Sequence, residues 1–246
     1  MNRYALTFTV KPGSEEQVAR ILAGYRRPAA GTAPDGAAPL LQRTSVFMSG
    51  TRVVRVMDVG AELRDVLRHL AAQPRIRAVE EALDAHLTEP RDMADPAGLR
   101  RFAFRSALPA VLDRVTPPDL LPDVPAHERG RRHAVLYPVR PGLGAKAAEL
   151  LSGAAPLQVR ADVKTTLAAT TVFSRGDVLV RLLEVDGSVD DALDHLARVA
   201  AAAPSAGLLG ELLDTPEDLT TVDGFRRFLA THSMRLISDR RVGVPA

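Results

Sequence analysis

Val46-Phe47-x-x-Gly50-x-x-x-Val54-Arg55 recurs further along the chain as Val172-Phe173-x-x-Gly176-x-x-x-Val180-Arg181, and this recurrence decides the fold. The offset of 126 residues also relates Asp65-x-Leu67-x-His69-Leu70-Ala71 to Asp191-x-Leu193-x-His195-Leu196-Ala197. It continues from Pro90-x-Asp92 to Pro216-x-Asp218, and from Gly98-x-Arg100-Arg101-Phe102 to Gly224-x-Arg226-Arg227-Phe228. Towards the N-terminus, Tyr4 to Pro12-Gly13 aligns with His133 to Pro141-Gly142. The chain is two copies of one unit.

Within a copy, an apolar run rich in β-branched residues (Tyr4 to Val10) stops at Pro-Gly and passes into a helix-period stretch, Glu15 to Tyr25. A strand ending near Ser49-Gly50, a tight turn and a strand from Arg52 to Val59 read as a hairpin. A second helix, Glu62 to Ala72, precedes a weaker extended run near Ile76 to Leu87, and a short helix (Pro96 to Ala107, or Val222 to His232) closes each copy. The order βαββαβ predicts an α+β fold of two tandem ferredoxin-like units. A lone unit leaves one sheet face bare, so the two copies are expected to cover each other as an intrachain dimeric α+β barrel with an internal cavity. The expected boundaries are residues 1–107 and 132–246, joined by a proline-rich extended linker over 108–131.

Composition narrows the chemistry. The 246 residues include no cysteine, which excludes a disulfide scaffold, a zinc ribbon, an iron–sulfur protein and a thiol nucleophile. With 32 basic against 30 acidic residues the net charge is +2, so no nucleic-acid partner is expected. No apolar run is long enough for a membrane span and the N-terminus reads as a strand, so the expected location is cytoplasmic, without membrane association. Gly142-Leu-Gly144-Ala-Lys146 lacks the remaining glycine spacing and the Ser/Thr of a phosphate loop and reads as a plain turn. His127-Glu128 lacks the second histidine of a zincin, no Gly-x-Ser-x-Gly elbow occurs, and neither metal nor other cofactor is expected.

Pro90-Arg-Asp92-Met-x-Asp95-Pro96 leading to Arg100-Arg101-Phe102, with Gly224-Phe-Arg-Arg-Phe228-x-x-x-His232-Ser233-Met234, resembles the SchA/CurD-like family found with aromatic polyketide and spore-pigment biosynthesis. The resemblance covers most of the chain and implies a dimeric α+β-barrel protein acting on an aromatic polyketide. Related barrels include polyketide cyclases and cofactor-independent monooxygenases that turn anthrone-like polyphenols into quinones. The implied partners are an aromatic polyketide intermediate and other polyketide synthase or tailoring enzymes, with the chain a monomer or homodimer. It implies no catalytic set, so candidate residues come from the sequence itself.

Oxidising a phenol or anthrone with oxygen alone needs a base, an oxyanion partner and a dry pocket. A cyclase forming an enolate asks for nearly the same parts, and a non-catalytic polyketide-binding protein for the pocket alone. His69 and His195 sit at the edge of apolar helix stripes, where each either reaches a cavity or helps cap the core. His232 ends the last helix and has Ser106 at its counterpart, so only one copy carries it; it is a candidate base or a helix cap. Arg55 and Arg181 lie on otherwise apolar strand faces with Val53, Met57, Leu179 and Leu183, where an arginine either binds a substrate oxyanion or pairs with an acid. Asp58 and Glu184 fall on the opposite face. Tyr137 matches Phe8 and either lines the cavity or fills the core.

Overall fold

The computed structural model describes residues 2–24, 31, 39–89, 96–153 and 165–241. The chain divides into two units, one of residues 1–108 with 235–246 and one of residues 109–234. In chain order the elements are β1 (Asn2–Thr9), α1 (Glu15–Gly24), β2 (Leu41–Ser49), β3 (Arg52–Val59), α2 (Leu63–Ala71), α3 (Pro74–Asp84), α4 (Pro96–Ser106), β4 (Ala107–Leu108) and β5 (Ala110–Val115). After two short 3-10 turns follow β6 (Arg131–Pro138), α5 (Gly144–Gly153), β7 (Leu167–Arg175), β8 (Val178–Val185), α6 (Val189–Ala201), α7 (Ala206–Leu212), α8 (Val222–His232) and β9 (Arg235–Arg241).

Both sheets are antiparallel, with strand orders β4-β1-β3-β2-β9 and β5-β7-β8-β6. The run β4-β1-β3-β2 is the ferredoxin-like order, and β6, β8 and β7 repeat it in the second unit. There the fourth strand shrinks to a bridge between Val135 and Ser233. Both hairpins turn on two residues, with glycine first: Gly50 has φ +51° and Gly176 φ +54°. Glycine adopts that left-handed backbone without steric cost, and the turn matches the twist of its strands. Polar caps start two helices, the Ser188 and Thr221 hydroxyls accepting from the Asp191 and Gly224 amides.

Each sheet takes its outer strand from the segment that follows the other repeat. β9 pairs with β2, Asp239 opposite Ser45, and β5 pairs with β7, Asp113 opposite Thr171. Side chains reinforce both junctions. Arg43 grips Asp239 at 2.9 and 2.6 Å, the Ser45 hydroxyl donates to the same carboxylate at 2.8 Å, and Thr171 donates to Asp113 at 2.7 Å.

Two local expectations change. Most of the run 76–87 lies in helix α3 rather than in an extended segment, only Leu87 keeping an antiparallel bridge, to Val10: Pro74 sits at the helix's first turn, where a missing amide costs nothing, and Ile76, Val79, Glu80 and Leu83 recur at helical spacing on its inner face. The stretch 108–131, read as a linker, holds β5, whose inward positions Leu112 and Arg114 alternate with exposed ones. The Gly142–Lys146 segment is a turn opening α5, and the amides of Gly142, Leu143 and Gly144 are already occupied. The Asp177 carboxylate accepts from Gly142 at 2.9 Å and from Gly144 at 3.0 Å. A Cβ on Gly144 would overlap the Gly176 carbonyl, so this close approach requires glycine. No helix among the described residues is long and apolar enough to cross a membrane.

Candidate functional site

Strand register places the candidate residues of the second unit on one grid. Residues opposite each other across antiparallel strands share a sheet face, and every second residue along a strand returns to it. One row across β5, β7, β8 and β6 therefore reads Arg114, Thr170, Leu183, His133. The next reads Leu112, Val172, Arg181, Val135, and the one after it Ser174, Leu179, Tyr137. Helices α5, α6 and α8 pack on this face through Ala147, Leu151, Ala192, Leu196, Phe225 and Phe228, so the grid lies inside the unit's hydrophobic core.

Arg181 is at the centre of the grid with 6% of its surface exposed. Its guanidinium carbon lies 5.8 Å from the centroid of the Tyr137 ring, a cation–π contact. Its Nε has no hydrogen-bond partner, and among the described residues no carboxylate pairs with it. Glu184 pairs instead with Arg132 on the other face, at 2.9 Å. The Tyr137 hydroxyl, 1% exposed, and the Thr170 hydroxyl, 3% exposed, also lack partners among the described residues. Burial pushes the Tyr137 hydroxyl pKa up, with the Arg181 charge opposing it. Arg114 adds positive charge to the same face, its own pKa lowered by burial and then by Arg181. Buried polar groups in native proteins are almost always satisfied, and an isolated buried cation costs several kcal/mol. An anion carrying oxygen acceptors has the chemistry to satisfy these three neighbouring unmet groups on one face.

The histidines divide unequally. His232, on α8, has its ring 4.8 Å from Phe228, whose ring lies 5.3 Å from Tyr137, so ring contacts lead from the imidazole to the phenol beside Arg181. Burial lowers the His232 pKa and keeps its ring neutral at pH 7. His195 is buried on α6, its pKa lowered by burial and then by Arg198, and it makes no hydrogen bond among the described residues. His133, not singled out by the sequence as a site residue, ends the Thr170 row and bonds the Ser233 hydroxyl at 2.7 Å. Its pKa is lowered by burial despite Asp190.

His69 and Arg55 belong to the first unit, and there the arginine of the equivalent grid meets a carboxylate. The rows read Arg240, Thr44, Met57, Tyr4, then Ser238, Val46, Arg55, Leu6, then Met48, Val53, Phe8. Arg55 donates to Glu80 of α3 at 3.1 Å, and Glu80 is itself 5% exposed. Arg55 and Glu80 themselves line a small pocket, together with Thr44, Met57, Leu70 and Ile76. His69 bonds Gln73 at 2.9 Å and abuts Gly31, where a Cβ would collide with the imidazole. The acid that meets Arg55 therefore comes from a helix of its own unit. Its partner Glu80 and the buried hydroxyls of Thr44 and Thr170 are grid neighbours the sequence reading missed. The 126-residue offset carried the signal, because Glu80 falls on Ala206. Among the described residues no three His, Asp or Glu side chains gather as a metal site.

Replacing Tyr137 by phenylalanine is expected to leave the melting temperature unchanged or raise it. The hydroxyl makes no bond to lose, and its burial costs about 1 kcal/mol or more. Thermal denaturation checks this, and a drop in stability would mean that the hydroxyl is bonded within the protein.

The SchA/CurD like domain family matches residues 1–115 and 131–242. The chain belongs to this family. A SchA/CurD relative, polyketide synthase CurD of Streptomyces cyaneus, is 41% identical over 249 residues, spanning all of this chain and 65% of its own length. The 42.8 kDa protein in the whiE locus of Streptomyces coelicolor is 48% identical over 190 residues, 77% of this chain and 45% of that protein. The chain thus spans between about half and two thirds of these SchA/CurD relatives. A solved anthrone oxidase-like protein aligns over 98% of this chain and 93% of its own at 11% identity and a TM-score of 0.36, a likeness that carries no functional weight. The family segment Pro90–Asp95 lies outside the described residues.

Proposed function

We propose that this SchA/CurD protein is a cofactor-independent monooxygenase that converts an anthrone-like aromatic polyketide into a quinone, with its working site in the second unit. The observation that carries the reading is the buried Arg181 guanidinium, with no carboxylate beside it among the described residues, flanked by the unsatisfied hydroxyls of Tyr137 and Thr170 among apolar side chains. Such a surface favours a substrate while it carries negative charge on oxygen, which is the form an anthrone takes once its methylene proton is removed. His232, held neutral by burial, supplies the base, with His195 a further neutral imidazole on the neighbouring helix. The substrate anion gives its electrons to molecular oxygen, a peroxide forms at the former methylene carbon, and loss of water leaves the carbonyl. One anthrone and one oxygen molecule give one quinone and one water.

Purified protein incubated with an anthrone-type polyphenol in air is expected to form quinone with equal oxygen uptake, and to form none without oxygen. Product formed equally well without oxygen would overturn this reading in favour of a cyclase, which needs the same base and oxyanion partner. Binding without any product would leave a carrier role.

The pH profile follows from His232. A base must be neutral to act, and burial lowers its pKa below the ordinary imidazole value of about 6.5. Turnover is therefore retained as pH falls to that value and lost only as it passes through the lowered pKa. The acid limb of kcat/KM checks this: a midpoint above the ordinary value would exclude His232 as the base.

A further inference from the structure

We infer that the two repeats have diverged at a single charge, so that the chain binds one aromatic anion, in the second unit, while Glu80 occupies the equivalent place in the first. This inference rests on the second unit being the ligand-bearing one. Both units keep an arginine in the middle of an apolar sheet face, Arg55 half-buried and Arg181 buried, and a buried threonine hydroxyl without a partner one row away, Thr44 and Thr170. They differ at two positions that matter to an anion. Glu80, buried on α3, meets Arg55 at 3.1 Å, whereas its counterpart at the fixed offset is Ala206, also buried, at the start of α7. Phe8 stands where the second unit has Tyr137, so the first unit also lacks the phenol that faces Arg181.

Both differences act in the same direction. A carboxylate fixed within the fold neutralises Arg55 at an effective concentration that a free ligand cannot match. With methyl in place of carboxylate, Arg181 keeps its charge uncompensated until an anion arrives from solution. The occupant this chemistry selects is a flat aromatic monoanion, a phenolate, enolate or carboxylate, whose ring rests on the aliphatic and phenyl walls and whose oxygens meet Arg181, Tyr137 and Thr170. Residue 80 and its counterpart 206 thus set which unit accepts a ligand.

The probe is 2-hydroxy-1,4-naphthoquinone, a vinylogous acid and therefore an anion at neutral pH, with its uncharged methyl ether as control. Titration of the full chain is followed by calorimetry and by the ligand's visible absorbance, since the protein has no tryptophan to report binding. Wild type is expected to bind one equivalent of the anion and to discriminate against the ether by about tenfold or more, the scale of one lost charged contact. Ala206→Glu and, independently, Arg181→Met are expected to weaken anion binding by at least about tenfold. Glu80→Gln, which keeps the side-chain shape but removes the charge, and Glu80→Ala are each expected to add a second equivalent, strengthened by Phe8→Tyr. Far-UV circular dichroism establishes that each variant is folded. Two equivalents bound by wild type, equal affinity for the ether, or unchanged affinity in folded Ala206→Glu and Arg181→Met would overturn the inference. So would a single equivalent in both Glu80 variants. Because the readout is binding, failure of oxygen uptake with these stoichiometries intact sinks the oxygenase reading alone.

Discussion

Replacing Arg181 by methionine is expected to stabilise the protein while abolishing its function. A buried cation with no carboxylate beside it among the described residues pays desolvation that the Tyr137 ring offsets only in part, and exchanging buried ionic groups for apolar side chains of similar volume has stabilised other proteins by about 1–4 kcal/mol. Methionine fills the space between Val135, Val172, Leu179 and Leu183 and adapts to irregular gaps. Chemical denaturation should show a higher midpoint with an unchanged slope, and quinone formation should fall by about two to three orders of magnitude, as for loss of one oxyanion donor. Opposite signs in the two measurements are the signature of a group retained for its ligand. Lower stability would instead place a structural partner on Arg181.

The same substitution chemistry in the first unit is expected to give the reverse. Glu80→Ala leaves the half-buried Arg55 without that carboxylate, and since breaking one side of a fully buried ion pair costs about 3–5 kcal/mol, a loss at or below the lower end of that range is expected. The same denaturation experiment measures it, and the double variant Glu80→Ala/Arg55→Met is expected to recover most of the loss because no orphaned charge remains. If the single and double variants were equally unstable, the loss would come from packing at α3 and not from charge.

Much of this architecture is legible in the sequence because it is written twice. The strand–helix order and the hairpin glycines recur at one offset, and strict alternation alone puts Arg55 and Arg181 on apolar faces. The side of each strand taken by Asp58 and Glu184 follows from the same alternation, and they pair with Arg3 and Arg132. What stays hidden depends on distance along the chain. Glu80 reaches Arg55 from a helix whose sequence resembles a weak strand, and strand β5 is masked by the prolines that follow it. The matched histidines His69 and His195 cannot be told apart by their local sequence pattern. One is engaged by Gln73, whose counterpart is the apolar Val199, and the other is left without a hydrogen bond among the described residues.

The exchanged outer strands govern the order in which the chain can fold. Ser45 waits for Asp239, nearly two hundred positions later, before the first sheet gains its last strand. Pairing at such separations is slow, because a long loop must close before any contact rewards it. During synthesis the second unit can therefore finish before the first, although its residues leave the ribosome later. Until β9 arrives, β2 presents an open edge, a site for mispairing with another nascent chain. Severing the polypeptide between the repeats would leave each fragment carrying the other's edge strand, so two separately expressed halves should regain their folds only when mixed.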